Sequence, residues 1–339
     1  MSRQTTKTRT RRSPETPNMP DTERVEVDLD AYETVVGSDA SASTSLRPSV
    51  LSYEWKHGRR YHSYQAGAYS FPNDEHEQAR LDMLHHVFFR LLNDRLYLAP
   101  INPDGLRILD IGTGTGMWAI HLGEDHPGAK QIVGNDLSPI QPNWCPPNVK
   151  FIVDDVELEW AEPEPYDYVH VRYMAGAIKD WPRLVRQIFD NLKPGGYVEF
   201  QETANTLYSE DESLKPDNAM VAMMKGLMEA CERIGRTLDP APEMEGWCQA
   251  AGFDEVKVEK FKLPIGGWPR NARLKEIGTL MGVNFIEGVE AFTAALFKDV
   301  LGWSKEEVDV LNHKVRAAVR RGDAHAIFDC LVVTARKPL

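Results

Sequence analysis

The sequence predicts an α/β domain: a mainly parallel sheet with helices on both faces. One observation is the stretch Ile108-Leu109-Asp110-Ile111-Gly112-Thr113-Gly114-Thr115-Gly116-Met117-Trp118-Ala119, which reads as strand, tight glycine turn and helix N-terminus. The other is that strand, helix and turn then alternate four times up to Glu202, a pattern that the connection rules turn into a parallel sheet. The chain of 339 residues has room for one such domain with an appendage.

Residues 1 to about 48 read as a disordered tail: a basic patch at Arg9, Arg11 and Arg12, an acidic stretch from Asp21 to Asp39, then a Ser/Ala/Thr run. The basic patch reads either as a solvated tail or as a nuclear import signal. A strap or lid followed by a helix is expected over 49–100. Tyr53, Trp55, Tyr61, Tyr64, Tyr69 and Phe71 crowd its start, and aromatics at that density need cover. Tyr69 is the candidate lid residue. Asp74-Glu75-His76-Glu77 offers a capping box, and Leu81, Leu84, Val87, Phe88, Leu91 and Leu92 follow at helical spacing. Arg80, inside that helix, reads either as a surface charge or as a partner for a ligand carboxylate.

The remainder, 101–339, is the main domain. Gly112, Gly114 and Gly116 carry no Cβ and tolerate positive φ, so a ligand can lie against bare backbone there. The spacing is G-x-G-x-G rather than the G-x-G-x-x-G of a dinucleotide site, and the carboxylate of Asp110 would repel a pyrophosphate. An acid in that place suits a cationic, amine-bearing ligand such as S-adenosylmethionine. The next apolar strand, Gln131 to Leu137, ends at Asp136, placed about 20 residues past the glycines where a doubly wound fold holds ribose hydroxyls. A third strand, Val149 to Val156, ends in acids; Asp155 can accept from an adenine amine while the Val156 N–H meets a ring nitrogen, with Asp154 the competing acid. Tyr166 to Arg172 is the fourth strand, Leu184 to Leu192 its helix, and Tyr197 to Glu202 the fifth strand. Helical insertions are expected at about 203–245, where Met220, Met223, Met224, Leu227 and Met228 line one helix, and at about 270–320. Strands at Glu255 to Leu263 and Ala324 to Ala335 complete the chain.

Composition sets limits on partners. Lys plus Arg number 39 against 51 Asp plus Glu, a net charge of −12, which disfavours a phosphate backbone as substrate. Cys145, Cys231, Cys248 and Cys330 lack metal or disulfide spacing, so no metal site is expected. No apolar segment reads as the ~20 residues of a membrane span. With no secretory signal at the N-terminus, an intracellular address, cytoplasmic or nuclear, is expected.

Taken together, Gly58-Arg59-Arg60-Tyr61-His62, Pro72 to Asp82, Gly112 to Ile120, Asp136-Leu137-Ser138-Pro139-Ile140-Gln141-Pro142, and Trp181-Pro182 running on to Lys193-Pro194-Gly195-Gly196 resemble class I S-adenosylmethionine-dependent methyltransferases. Within them the match is to the fungal LaeA-like methyltransferases, over roughly residues 55 to 338. That resemblance implies a Rossmann-like sheet of seven strands, the last antiparallel. It implies that Asp110, Gly112, Thr113, Gly114 and Gly116 hold the methionine portion, Asp136 and Leu137 the ribose, Asp155 and Val156 the adenine, and that Arg172 and Tyr173 approach the sulfonium. Thr113 stands where the founding member, a secondary-metabolism regulator with nuclear partners, has a cysteine, which points to a paralogue.

An activated methyl donor needs little from the protein beyond alignment and exclusion of water, with a base only where the nucleophile arrives protonated. His170, Glu199, Gln201 and Glu202 lie near strand ends, and His170 and Glu202 are the candidate bases. Three roles remain open: methylation of a small molecule, a regulatory methyltransferase acting on a protein or with a regulatory protein partner, and a non-catalytic scaffold that binds the cofactor.

Overall fold

The computed structural model describes residues 53–65, 69–160 and 164–339. The expectations for the tail at 1–48 lie outside them.

A small hairpin, β1 (Glu54–Lys56) and β2 (Arg59–Tyr61), opens the described chain. It turns at His57 and Gly58, both at positive φ, and precedes α1 (Glu75–Leu91). The sheet is built from β3 (Arg107–Ile111), β4 (Gln131–Asp136), β5 (Val149–Val153), β6 (Tyr166–Arg172), β7 (Leu192–Tyr208), β8 (Asp254–Pro264) and β9 (Ile327–Arg336). Between them run α2 (Met117–Asp125), α3 (Trp181–Asn191), α4 (Ala219–Arg233), α5 (Met244–Ala251), α6 (Ala272–Ala295) and α7 (Lys305–Arg321).

The seven strands lie in the order β5-β4-β3-β6-β7-β9-β8. Pairing is parallel from β5 through β7, and β9 runs antiparallel between β7 and β8. Seven strands with the last reversed is the arrangement the sequence implied. The order changes direction between β3 and β6, the point where an open α/β sheet leaves a crevice above its strand ends. β3 is buried at every position because both of its faces are covered. One face packs Trp118, Ala119 and Leu122 of α2, and the other packs Leu184, Val185 and Ile188 of α3 with Met244 and Cys248 of α5. A third apolar cluster joins α1, α4, α6, α7 and the first half of β9.

Three local expectations change. The fifth strand runs on to Tyr208 instead of closing at Glu202, because Thr203, Ala204 and Tyr208 continue the ladder with Cys330, Asp329 and Ile327. At α1 only half of the capping box forms: Asp74 accepts from the Glu77 N–H at 3.1 Å, while the Glu77 carboxylate turns to Arg80. Finally, Ala272–Val300 is long and apolar enough to cross a membrane by length and composition, but most of that window is buried inside the fold. A helix packed on several sides is apolar on several sides.

Candidate functional site

The glycine turn after β3 is tied down from beneath. Asp110 is 3% exposed; one of its oxygens accepts from the Thr113 hydroxyl at 2.6 Å and the other meets His170 Nδ1 at 2.7 Å. The His170 ring lies flat on Trp118, centroids 3.8 Å apart. Gly112, Gly114 and Gly116 all sit at positive φ. A Cβ on Gly114 would find open space with only Leu81 at 3.8 Å, so its bare face is available to a ligand. The Thr113 N–H donates to Asn135 O at 2.9 Å, locking the turn to β4.

Above this turn is a cavity of about 1120 Å³, its open mouth included. It is bounded by the turn, the ends of β4 and β5, the segment after β6, and residues from Tyr69 to His85. Asp136 stands on its wall. One of its oxygens accepts from the Gly114 N–H at 2.8 Å and the other from the Ser138 N–H at 2.9 Å. A carboxylate offers about four acceptor positions, so room remains for a hydroxyl donor. Burial lifts the Asp136 pKa to about 6 against the pull of the Ser138, Gly114 and Leu137 N–H groups. Asp154, Asp155 and Val156 line the next part of the wall. Asp155 is half-buried and caps its own turn by accepting from Glu157 N at 2.9 Å, Asp154 is exposed, and Val156 is buried.

On the opposite wall Arg172 is half-buried, and its partner is a histidine: Arg172 Nη2 lies 3.1 Å from His85 Nδ1. Burial lowers the Arg172 pKa to about 10. Burial and the neighbouring guanidinium push His85 down to about 2, so its neutral ring accepts from Arg172. Tyr173 follows at φ 57°, a left-handed conformation unusual for a bulky side chain. The Tyr173 N–H donates to Gln201 O at 3.1 Å, and the Met174 N–H donates to Glu202 Oε1 at 2.6 Å.

Beyond Tyr69 and Tyr173, which both cavities share, lies a second cavity of about 640 Å³, its open mouth included. Phe71, Phe285, Phe292, Phe328, Met224 and Met281 give it apolar walls. Its polar atoms come from the two tyrosines, Arg80, Thr203 and Asn205. Arg80 is therefore neither a surface charge nor on the wall of the first cavity. It is 3% exposed and faces the second.

The expected residues thus divide. Gly112, Thr113, Gly114, Asp136, Leu137, Asp155, Val156, Arg172, Tyr173 and Tyr69 all line the first cavity. Asp110 does not: it lies behind the turn and acts on it through Thr113. Gly116 is spent on packing, since a Cβ there would fall 2.5 Å from Phe151. His170 and Glu202 lie on neither cavity wall. Glu202 holds the backbone under Tyr173, and burial raises its pKa to about 8. Glu199 accepts from the Leu98 and Ala99 N–H groups at 2.8 and 2.7 Å, and Gln201 donates to Leu96 O at 3.0 Å, so both fasten the loop after α1 to the sheet. His85 escaped the sequence reading: it sits mid-helix in an apolar pattern, and only the fold brings it to Arg172. Among the described residues no group of three His, Cys, Asp or Glu could hold a metal ion.

These donors fit S-adenosylmethionine. The wall combines a carboxylate with free lone pairs for ribose hydroxyls, an acid and an N–H for an adenine edge, a bare glycine backbone, and a half-buried cation for a carboxylate.

Comparison with known proteins agrees. Residues 83–258 match the family model described as a methyltransferase domain. The chain is 61% identical over 315 residues to methyltransferase pytC of Aspergillus terreus, covering 93% of this chain and 96% of that protein. It is 33% identical over 298 residues to the secondary metabolism regulator LAE1 of Cochliobolus heterostrophus, covering 86% and 97%. The solved structure of phosphoethanolamine N-methyltransferase 2 of Haemonchus contortus, in complex with S-adenosyl-L-methionine, is 21% identical with a TM-score of 0.45, covering 76% of this chain and 53% of that longer one. The chain belongs to the S-adenosylmethionine-dependent methyltransferases, among the fungal LaeA-like members.

Proposed function

We propose that the protein methylates a small, largely apolar molecule of fungal secondary metabolism, bound in the second cavity beside the cofactor. The observation that carries this reading is the shared wall: among the described residues, Tyr69 and Tyr173 line both the cofactor cavity and an apolar chamber beside it. The names of the relatives support the setting, one a methyltransferase and the other a regulator of secondary metabolism. The higher identity to pytC favours a tailoring enzyme over a regulator.

When bound, S-adenosylmethionine supplies a methyl group on a sulfonium, which an acceptor's lone pair takes to leave S-adenosylhomocysteine. The chain's own part is placement. Asp136 accepts the ribose hydroxyls, Asp155 and Val156 take the adenine edge, and Arg172, propped by His85, holds the carboxylate. Tyr69 and Tyr173 keep their protons, since burial raises both hydroxyls above their ordinary pKa. They therefore orient and seal rather than abstract a proton, and a proton lost by the acceptor passes to solvent.

The test is to incubate the protein with methyl-labelled S-adenosylmethionine and an organic extract of a fungal culture. Label is expected in a low-mass, organic-soluble product; label confined to protein would overturn the reading in favour of a regulatory methyltransferase.

A further inference from the structure

Among the described residues the only charged side chain on the wall of the second cavity is Arg80, and its charge is already cancelled. Glu77, one helical turn earlier on α1 and off the cavity wall, accepts from Arg80 Nε at 3.0 Å and from Nη2 at 2.6 Å. Both side chains are 2% exposed. Asn284 of α6 completes the clamp, accepting from Arg80 Nη1 at 2.9 Å while its own amide donates to Arg80 O at 2.7 Å. Phe292 lies under the guanidinium, 5.1 Å from its centre. Between these two, Gly288 keeps the face of α6 open: a Cβ there would fall 2.6 Å from the Phe292 ring and 3.1 Å from Arg80 Cδ. Asn284, Gly288 and Phe292 are spaced four apart, one face of one helix turned to one guanidinium.

A guanidinium has five N–H groups, and this clamp uses three. Two hydrogens remain on the terminal nitrogens, and the Tyr173 hydroxyl, on the wall of the same cavity, accepts from Arg80. The side-on fork of Nε and Nη2 is already filled by Glu77. A carboxylate in the cavity would add a net charge among Phe and Met side chains, and an ammonium group would find no acid on the wall.

We infer that the second cavity selects a neutral acceptor with a flat apolar body and one carbonyl or hydroxyl oxygen, which Arg80 receives through its remaining N–H beside the Tyr173 hydroxyl. This rests on reading the second cavity as the acceptor's. Arg80 is then a specificity-determining residue, held in place by Glu77, Asn284 and Gly288.

The inference is tested by equilibrium dialysis at neutral pH with saturating S-adenosylhomocysteine and three probes of one size: naphthol, methylnaphthalene and naphthoate. Naphthol is expected to bind about tenfold more tightly than methylnaphthalene, the worth of one charge-assisted hydrogen bond, and naphthoate more weakly than either. In the E77Q/R80M double variant, which removes both charges and keeps the volume, the naphthol advantage should vanish while methylnaphthalene binding remains. Gly288→Ala, which leaves the ion pair intact but crowds Arg80, should weaken naphthol more than methylnaphthalene. Naphthoate binding as tightly as naphthol, or a naphthol advantage that survives both variants, overturns the inference. Equal binding of naphthol and methylnaphthalene also overturns it but leaves the acceptor cavity standing. If S-adenosylhomocysteine binds and none of the probes does, the acceptor-cavity reading falls with it.

Discussion

The cofactor cavity takes most of its polar contacts from short stretches at the ends of neighbouring parallel strands, while the second cavity is assembled from α1, α4, α6, β7 and β9, drawn from more than two hundred residues of chain. In the first, much of the chemistry is backbone: the Gly114 and Ser138 N–H groups and a bare glycine face. In the second it is side chain, with one buried ion pair among aromatic and methionine walls. A backbone site is fixed once its strands pair, so other side chains can vary around it. A side-chain site depends on every helix that contributes to it. That difference teaches where the molecule can be altered separately.

The sharpest way to break the comparison is Glu77→Gln. It strips Arg80 of its counter-charge in a buried setting, and folding stability should fall by about 3 kcal/mol in chemical denaturation. The affinity of the folded protein for S-adenosylhomocysteine should stay the same. A parallel loss of cofactor affinity would show that the two cavities are one energetic unit.

Asp136→Ala tests the other side. Removing the hydroxyl acceptor should weaken S-adenosylhomocysteine binding by on the order of 100-fold in calorimetry, with methylnaphthalene binding unmoved. Acid should act on the same residue. The ionised carboxylate is the form that accepts from a hydroxyl, so cofactor affinity should be flat above neutrality and fall below the Asp136 pKa of about 6. At pH 5 the loss should be about tenfold. Folding responds with the opposite sign. The folded pKa lies above the unfolded value, so the stability contributed by Asp136 is present in acid and is lost as pH rises from about 4 through about 6. Binding and stability moving together across that window would contradict the assignment.

The smallest effect is Phe328→Leu, a change of shape in a wall of the second cavity. Stability should drop by less than about 1.5 kcal/mol. The KM for a methyl acceptor should rise a few-fold, and the KM for the cofactor should not change.

The same contrast governs what the sequence let one read. The turn at Gly112 to Gly116, Asp136 and the acids after β5 announce themselves because each is a local pattern: an apolar run, then a residue type the strand end requires. The count of seven strands with the last reversed is legible from a family resemblance rather than from periodicity, and their order comes from the structure. The second cavity was not legible. Met220, Met223 and Met224 read as a core stripe, and nothing in that stripe says that Met224 will face Phe328 across a chamber. Arg80 read as a surface charge or a ligand partner because its counter-ion, Glu77, read as a cap; the fold diverted that carboxylate, and Asn284 lies 204 residues away. Asp110 reads as a ligand contact because the acid before the turn is so visible. Its two oxygens were claimed by Thr113 and by His170, which the sequence offers only as a residue sixty positions on.

That last contact has a consequence of its own. Asp110, Thr113 and His170, with Trp118 flat against the imidazole, make a buckle between the middle of the sheet and the loop that meets the ligand. The conformational entropy of the loop is surrendered when the chain folds rather than when the cofactor arrives, so binding is spared that ordering term. His170→Phe keeps the stack on Trp118 and undoes the buckle. In that variant cofactor binding should acquire a less favourable entropy, and amide exchange at Gly112 and Gly114 should become protected only once the cofactor is bound.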